Sequence, residues 1–245
     1  MPDLVVPARF NGPPASANGG WSAGALAALL LPPEASARPV SVRLHRPPPL
    51  DVPMSVEVAD DAATARIDGD VVLTAAVATE EALGPDLPAV DLETATAATV
   101  RYAGRQDHPF PTCFVCGTQR PDGLRLEPGH LLFREEMTAC PWTPPEDLDA
   151  GDGRVALPVV WAALDCPGGW SADLVGRPMV LGTITAAVPE RPRVGEPCVV
   201  VGTVLGRSGR RTLTATALRR AADGALLARA AHIWVEVDPT AFSAP

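Results

Sequence analysis

The chain has 245 residues, 47% of them apolar, which suffices for one large domain or two small ones with packed cores. All 20 basic residues are arginines, and 29 acidic residues bring the net charge to −9. That balance excludes a nucleic-acid groove, which needs a basic face to neutralise phosphates, so an anionic ligand would need a local arginine cluster. The wealth of Ala, Gly and Pro beside the missing Lys is what a GC-rich bacterial genome produces and says little about mechanism.

The N-terminal residues show no basic segment running into an apolar one, so no export signal is expected. The first helix reads from Trp21 to Leu31, too short to cross a membrane. Five cysteines, an odd number without an export signal, predict a reduced, cytoplasmic protein. After this helix, Arg38-Pro39 leads into a strand over Ser41–His45. A Pro-rich turn follows, then strands over Val52–Val58, Ala63–Ile67 and Val71–Thr79.

The same order returns from Arg177-Pro178. A strand over Val180–Val188 precedes a Pro-rich turn, and strands follow over Glu196–Val204, Arg211–Arg220 and Ala225–Val237. An internal repeat of this kind predicts two copies of one α+β unit, each a central helix wrapped by a long antiparallel sheet. The boundary is placed near Gly104, giving repeats 1–104 and 105–245. Glu81–Val90 reads as a loop and Ala95–Tyr102 as strand-like.

Two alignments of the helices compete. Gly19-Gly20-Trp21-Ser22-Ala23 recurs letter for letter at Gly168-Gly169-Trp170-Ser171-Ala172, but that match leaves a stunted second helix before Met179. Pairing Arg38-Pro39 with Arg177-Pro178 instead starts the helix at Leu157-Pro158, where proline suits a first turn, and runs it through Val159–Cys166. This second alignment is preferred because it keeps helix length. It puts Asp165 mid-helix among apolar neighbours, opposite Leu26 or Ala27. A carboxylate there is costly unless paired or facing a cavity. It is either functional, or a solvent-facing group or one that bonds the backbone near Pro167 and Gly168.

Cys113-Phe114-Val115-Cys116-Gly117 followed by Pro121-Asp122-Gly123-Leu124-Arg125-Leu126 resembles the opening of hotdog-fold proteins of the acyl-CoA thioesterase superfamily, whose chains run from CFVCG to a GL-led strand. Asn18-Gly19-Gly20 resembles the HGG that starts their central helix, with Asn for His, and Leu164-Asp165 resembles their LD, with Cys166 for Glu. Taken with the repeat, the chain is similar to double-hotdog thioesterases. The resemblance implies hydrolysis of an acyl-CoA or acyl-carrier thioester in one composite site between the repeats, with CoA entering only as part of the substrate and no other cofactor. It implies Gly19 or Gly20 as oxyanion donor at a helix N-terminus and Asp165 as nucleophile or base, with Asn18 orienting substrate or water. Related double-hotdog enzymes set a Thr and a Gln beside the Asp. Thr183 matches weakly, and no Gln follows Gln119. Edge-to-edge pairing into a homodimer is implied on the same ground. The rival readings are a protein that holds an acyl or CoA-like ligand without turnover, and an assembly module with a filled cleft.

The remaining signals are weaker. Arg210 and Arg211, with Arg207, are candidates to grip CoA phosphates, or are solvated hairpin residues. Trp21, Trp161 and Trp170 flank the helices as packing residues, Trp21 and Trp161 being candidates for an acyl pocket. Cys113 and Cys116 form a CxxC with no second CxxC, which reads as two small buried residues rather than zinc ligands, so no metal is expected. His45 and His232 read as structural strand residues, and His108 reaches a site only if its loop folds inward. No nucleic-acid or membrane partner is expected, and the Asp/His spacing of a hotdog hydratase is missing.

Overall fold

The computed structural model describes residues 2–242. Its strands are β1 (Asp3–Leu4), β2 (Val40–Leu44), β3 (Met54–Ala59), β4 (Ala62–Ile67), β5 (Asp70–Val77), β6 (Gly129–Leu131), β7 (Arg134–Trp142), β8 (Met179–Ala187), β9 (Cys198–Ser208), β10 (Arg211–Arg220) and β11 (Leu226–Glu236). The α-helices are α1 (Gly19–Leu30), α2 (Leu92–Ala98) and α3 (Leu157–Trp170). All eleven strands form one antiparallel sheet in the order β1-β3-β4-β5-β2-β8-β11-β10-β9-β7-β6. The first-half strands occupy one end and the second-half strands the other. They join where β2 pairs with β8, Val40 opposite Ala186 and Arg43 opposite Thr183. This is an α+β double hotdog, with α1 and α3 as the two central helices.

Each central helix follows from local chemistry. Asn18 caps α1, its side-chain oxygen accepting from Trp21 N–H at 2.8 Å. Helix α3 starts at Leu157-Pro158, as the length-preserving alignment predicts, with proline in the first turn. The repeated Gly-Gly-Trp-Ser-Ala therefore marks the start of one helix and the end of the other, and carries no structural equivalence. Helix α3 does run past Cys166 to Trp170, through Pro167. Two threonine hydroxyls tie this stretch to the sheet, Thr216 donating to Leu164 O at 2.9 Å and Thr138 to Pro167 O at 3.0 Å. They anchor the helix to the sheet near Pro167, whose missing N–H leaves Ala163 O without its helical donor.

Two further expectations change. Ala95–Tyr102 is not strand. Asp91 caps α2, and a 3-10 stretch over Thr99–Arg101 follows. Leu87, Ala95 and Ala98 then pack with Leu131, Met137 and Val201 on the outer face of the second-half strands. Leu124–Leu126 is also not a strand. Its amides donate to Phe114 O and Val115 O, and Arg125 stands between them at φ 53°, a left-handed turn that no regular ladder accommodates.

The central helices run antiparallel and touch at glycines. A Cβ on Gly20 would lie 2.8 Å from Trp161 O and 2.7 Å from Asp165 Cβ, and one on Gly24 would lie 2.8 Å from Pro158 Cα. Only the missing side chains allow this approach. Gly24→Ala is therefore expected to cost about 1–3 kcal/mol by overpacking. Gly206→Ala, which meets nothing within 4 Å, should be close to neutral in the same urea titration. Equal costs would mean that the helices separate freely.

Under α3, His232 lies buried with its Nδ1 at 3.1 Å from Thr214 Oγ1, and burial pushes its pKa from 6.5 down to about 4. The unfolded chain therefore binds more protons than the native one between these values. The stability concerned is whole above about pH 6.5 and is lost as pH falls through about 4, in total about 3 kcal/mol. His232→Gln should flatten this acid limb in urea titrations on either side of the window. An unchanged limb would assign the loss to other groups.

Candidate active site

The structure brings Asn18, Gly20 and Asp165 together across the two halves. Asp165 Oδ2 accepts from Asn18 Nδ2 at 3.1 Å and from Gly20 N–H at 3.0 Å. One N-cap asparagine therefore does two things: its oxygen caps α1 and its amide holds the carboxylate from α3. The macrodipole of α1 places partial positive charge at the same point. Asp165 Oδ1 is buried and has no hydrogen-bond partner among the described residues, and the residue is only 2% exposed. Desolvation raises the Asp165 pKa to about 7, outweighing the two donors that favour the charged form.

Asp165 lies on the wall of a cavity of about 250 Å³ that both halves line. Asn18, Gly19, Leu44 and Arg46 come from the first half, and Asp165, Leu181 and Trp234 from the second. Most of the wall is apolar, with Phe110, Trp170, Leu174 and Met179 completing it. The loop before the CxxC does fold inward, so His108 lines the cavity. Its ring stands 5.0 Å from that of Trp170, and burial lowers its pKa.

The first-turn amides of α1 divide among distinct tasks. Trp21 N–H is capped by Asn18, Ser22 N–H donates to Asn18 O, and Gly20 N–H donates to Asp165. Gly20 is thus engaged with the carboxylate rather than available as an oxyanion donor. Gly19, which lines the cavity, sits at the first helical position, where the N–H has no partner within the helix.

Several residues expected at the ligand lie elsewhere. Trp21 stacks on Phe10 at 4.5 Å. Trp161 packs under Gly24 in the helix contact. Thr183 lies in the strand junction between the halves, opposite Arg43. Arg210 donates to Glu236 O at 2.7 Å, and Arg211 is an exposed residue at the start of β10. None of the five lines the cavity. Of the three helix-flanking tryptophans, Trp170 does. The sequence offered little warning of Phe110, Met179, Leu181 or Trp234, which are ordinary apolar residues until the fold converges them.

Cys166, beside Asp165, meets the CxxC. The sulfurs of Cys113, Cys116 and Cys166 lie within 4.8 Å of one another, and all three are buried free thiols. Hydrogen bonds from Cys116 and Cys166 hold the Cys113 thiol well below its ordinary range.

Among solved structures, the chain is similar to a conserved hotdog-fold protein of unknown function from Alicyclobacillus acidocaldarius, at TM-score 0.55 and 16% identity over 97% of this chain and 93% of that one. It is likewise similar to the tesB protein of Mycobacterium avium subsp. paratuberculosis, at TM-score 0.55 and 14% identity over 91% and 88%. No protein-family model matches the sequence, and no curated protein does. At these identities the likeness is one of fold, and it spans both halves.

The Asn18–Asp165 contact is open to direct measurement. Asn18→Ala removes a helix cap and a donor to a buried carboxylate, and should destabilise by about 1–3 kcal/mol. Asp165→Asn removes the buried charge at nearly constant shape and keeps an acceptor oxygen for Asn18 and Gly20, so it should cost less than Asn18→Ala. A double-mutant cycle of Asn18→Ala with Asp165→Ala, which removes the acceptor oxygen, should show coupling of about 1 kcal/mol or more, whereas additive effects would mean that the contact carries no energy.

Proposed function

We propose that the chain hydrolyses acyl thioesters, with Asp165 as general base and the start of α1 as oxyanion site. The observation that carries this reading is the meeting of a buried carboxylate from one half with the N-terminal amides of the other half's helix, on an apolar cavity wall. The helix start favours negative charge, and preorganised amides stabilise a developing oxyanion without reorganising.

In this reading the thioester carbonyl oxygen faces Gly19 N–H and the acyl group lies against Trp170, Leu174 and Trp234. Asp165 Oδ1, the oxygen without a partner, takes a proton from water as that water attacks the carbonyl carbon. Collapse of the tetrahedral intermediate breaks the carbon–sulfur bond. The proton then passes from Asp165 to the departing thiolate, leaving a carboxylic acid and a thiol. Asn18 and Gly20 bond Oδ2 and so fix the orientation of the carboxylate.

A second reading is favoured by one feature. Asp165 is almost wholly withdrawn from solvent, which suits a protein that holds an acyl thioester without turning it over. Thiol release from short, medium, long and aromatic acyl-CoAs separates the two. Wild type should release thiol, and Asp165→Asn, folded, should lose about a hundredfold or more in kcat/KM. Release that survives the substitution would move the chemistry away from Asp165. No release from any acyl-CoA, together with thermal stabilisation by one of them, would establish the binding reading.

A further inference from the structure

We propose that Cys113, Cys116 and Cys166 form a three-thiolate site for a borderline-soft divalent ion of the zinc class, its fourth coordination position opening into the cleft. The geometry is already close to that of such a site. Cys113 Sγ and Cys166 Sγ are 3.8 Å apart, and the third sulfur lies within 4.8 Å of both. For a zinc–sulfur bond of about 2.3 Å, the edge of a regular tetrahedron is about 3.8 Å. An ion enters the centre of the trio with little movement of the chain.

The ligands come from two rigid pieces. Cys113 and Cys116 stand on a turn closed by Gly117 N–H donating to Cys113 O at 2.9 Å, and a Cβ on Gly117 would lie 2.5 Å from that same oxygen. Cys166 stands on α3. The gathering is specific, because the other two cysteines, Cys140 and Cys198, lie on β7 and β9 outside the trio. Three thiolates select zinc-like ions over magnesium and calcium, which require oxygen.

His108 does not fill the fourth position. Its Nδ1 accepts from Phe110 N–H at 2.9 Å, and its Nε2 then donates to Cys116 O at 3.2 Å. All three cysteines line the cavity, so a water or a ligand atom arriving through the cleft completes the tetrahedron. Three protein ligands with one open position is the pattern of catalytic rather than structural zinc. Binding converts three cysteine sulfurs and one divalent ion into a tris-thiolate complex of charge −1 and releases the protons those sulfurs carry. The site does not depend on thioester hydrolysis, and its test uses no acyl substrate, so each reading fails separately.

The test is cobalt titration of the metal-stripped, reduced full chain, followed by absorbance. The expected result is a thiolate-to-cobalt charge-transfer band with intense tetrahedral visible bands, saturating at about one equivalent per chain and displaced by zinc. Cys116→Ser and Cys166→Ser should lose them, and Cys140→Ser and Cys198→Ser should keep them. Should the cluster variants fail to fold, alkylation of wild type mapped by mass spectrometry decides. Zinc should slow modification of Cys113, Cys116 and Cys166 by about tenfold or more, and leave Cys140 and Cys198 unchanged. No cobalt bands, bands that persist in folded cluster variants, or alkylation indifferent to zinc would overturn the site.

Discussion

The close approach of α1 to α3 is the contact on which the rest of the structure depends. Gly20 and Gly24 lie one turn apart on one face of α1, and each faces backbone of α3 at distances that no Cβ tolerates. Backbone-to-backbone packing of this kind fixes the axial register of the two helices. The register decides that Asp165, rather than a neighbour one turn away, stands at the N-terminus of α1. The β2–β8 pairing fixes the same relation from the sheet side. Register is therefore set twice, by helix contact and by strand pairing, and the cleft lies between those two constraints.

The starts of the two central helices offer different groups. Helix α1 begins Asn-Gly-Gly, offering a cap, a close-approach glycine and a free first-turn amide. Helix α3 begins Leu-Pro, and Pro158 has no N–H to offer there. The partner of Asp165 on α1 falls at Leu26 or Ala27, both buried and apolar. The two helix starts of one chain thus differ, and the Asn18–Asp165 contact joins a residue from each half.

Asp165 balances opposed terms. Burial favours the neutral carboxyl, whereas the amides of Gly20 and Asn18 favour the carboxylate, and burial prevails. The Cys113, Cys116 and Cys166 thiols beside it face the same low-polarity environment. A buried carboxyl and three buried thiols on one cavity wall concentrate groups that gain from an arriving water, ion or ligand, because each lacks solvent and Asp165 Oδ1 lacks any partner.

Element order and type were legible in the sequence wherever local periodicity and turn chemistry were strong, as in β2–β5 and β8–β11 and in the Leu157-Pro158 start of α3. They failed at two places: α3 continues past Pro167, where threonine hydroxyls bond its carbonyls, and Leu92–Ala98 is a helix capped by Asp91 and packed on the outer face of the second-half strands. In the sequence Asp165 stood out as a carboxylate in an apolar run, whereas Asn18, Gly19 and Gly20 stood out through their resemblance to the HGG helix start of hotdog thioesterases. Only the tertiary structure decided that Gly20 N–H binds the carboxylate while Gly19 lines the cavity, that Cys166 meets the CxxC, and that Trp170 rather than Trp21 or Trp161 faces the cavity. Those outcomes depend on the register and rotation of one helix against another, which arise from packing between residues more than a hundred positions apart, and no local pattern encodes them.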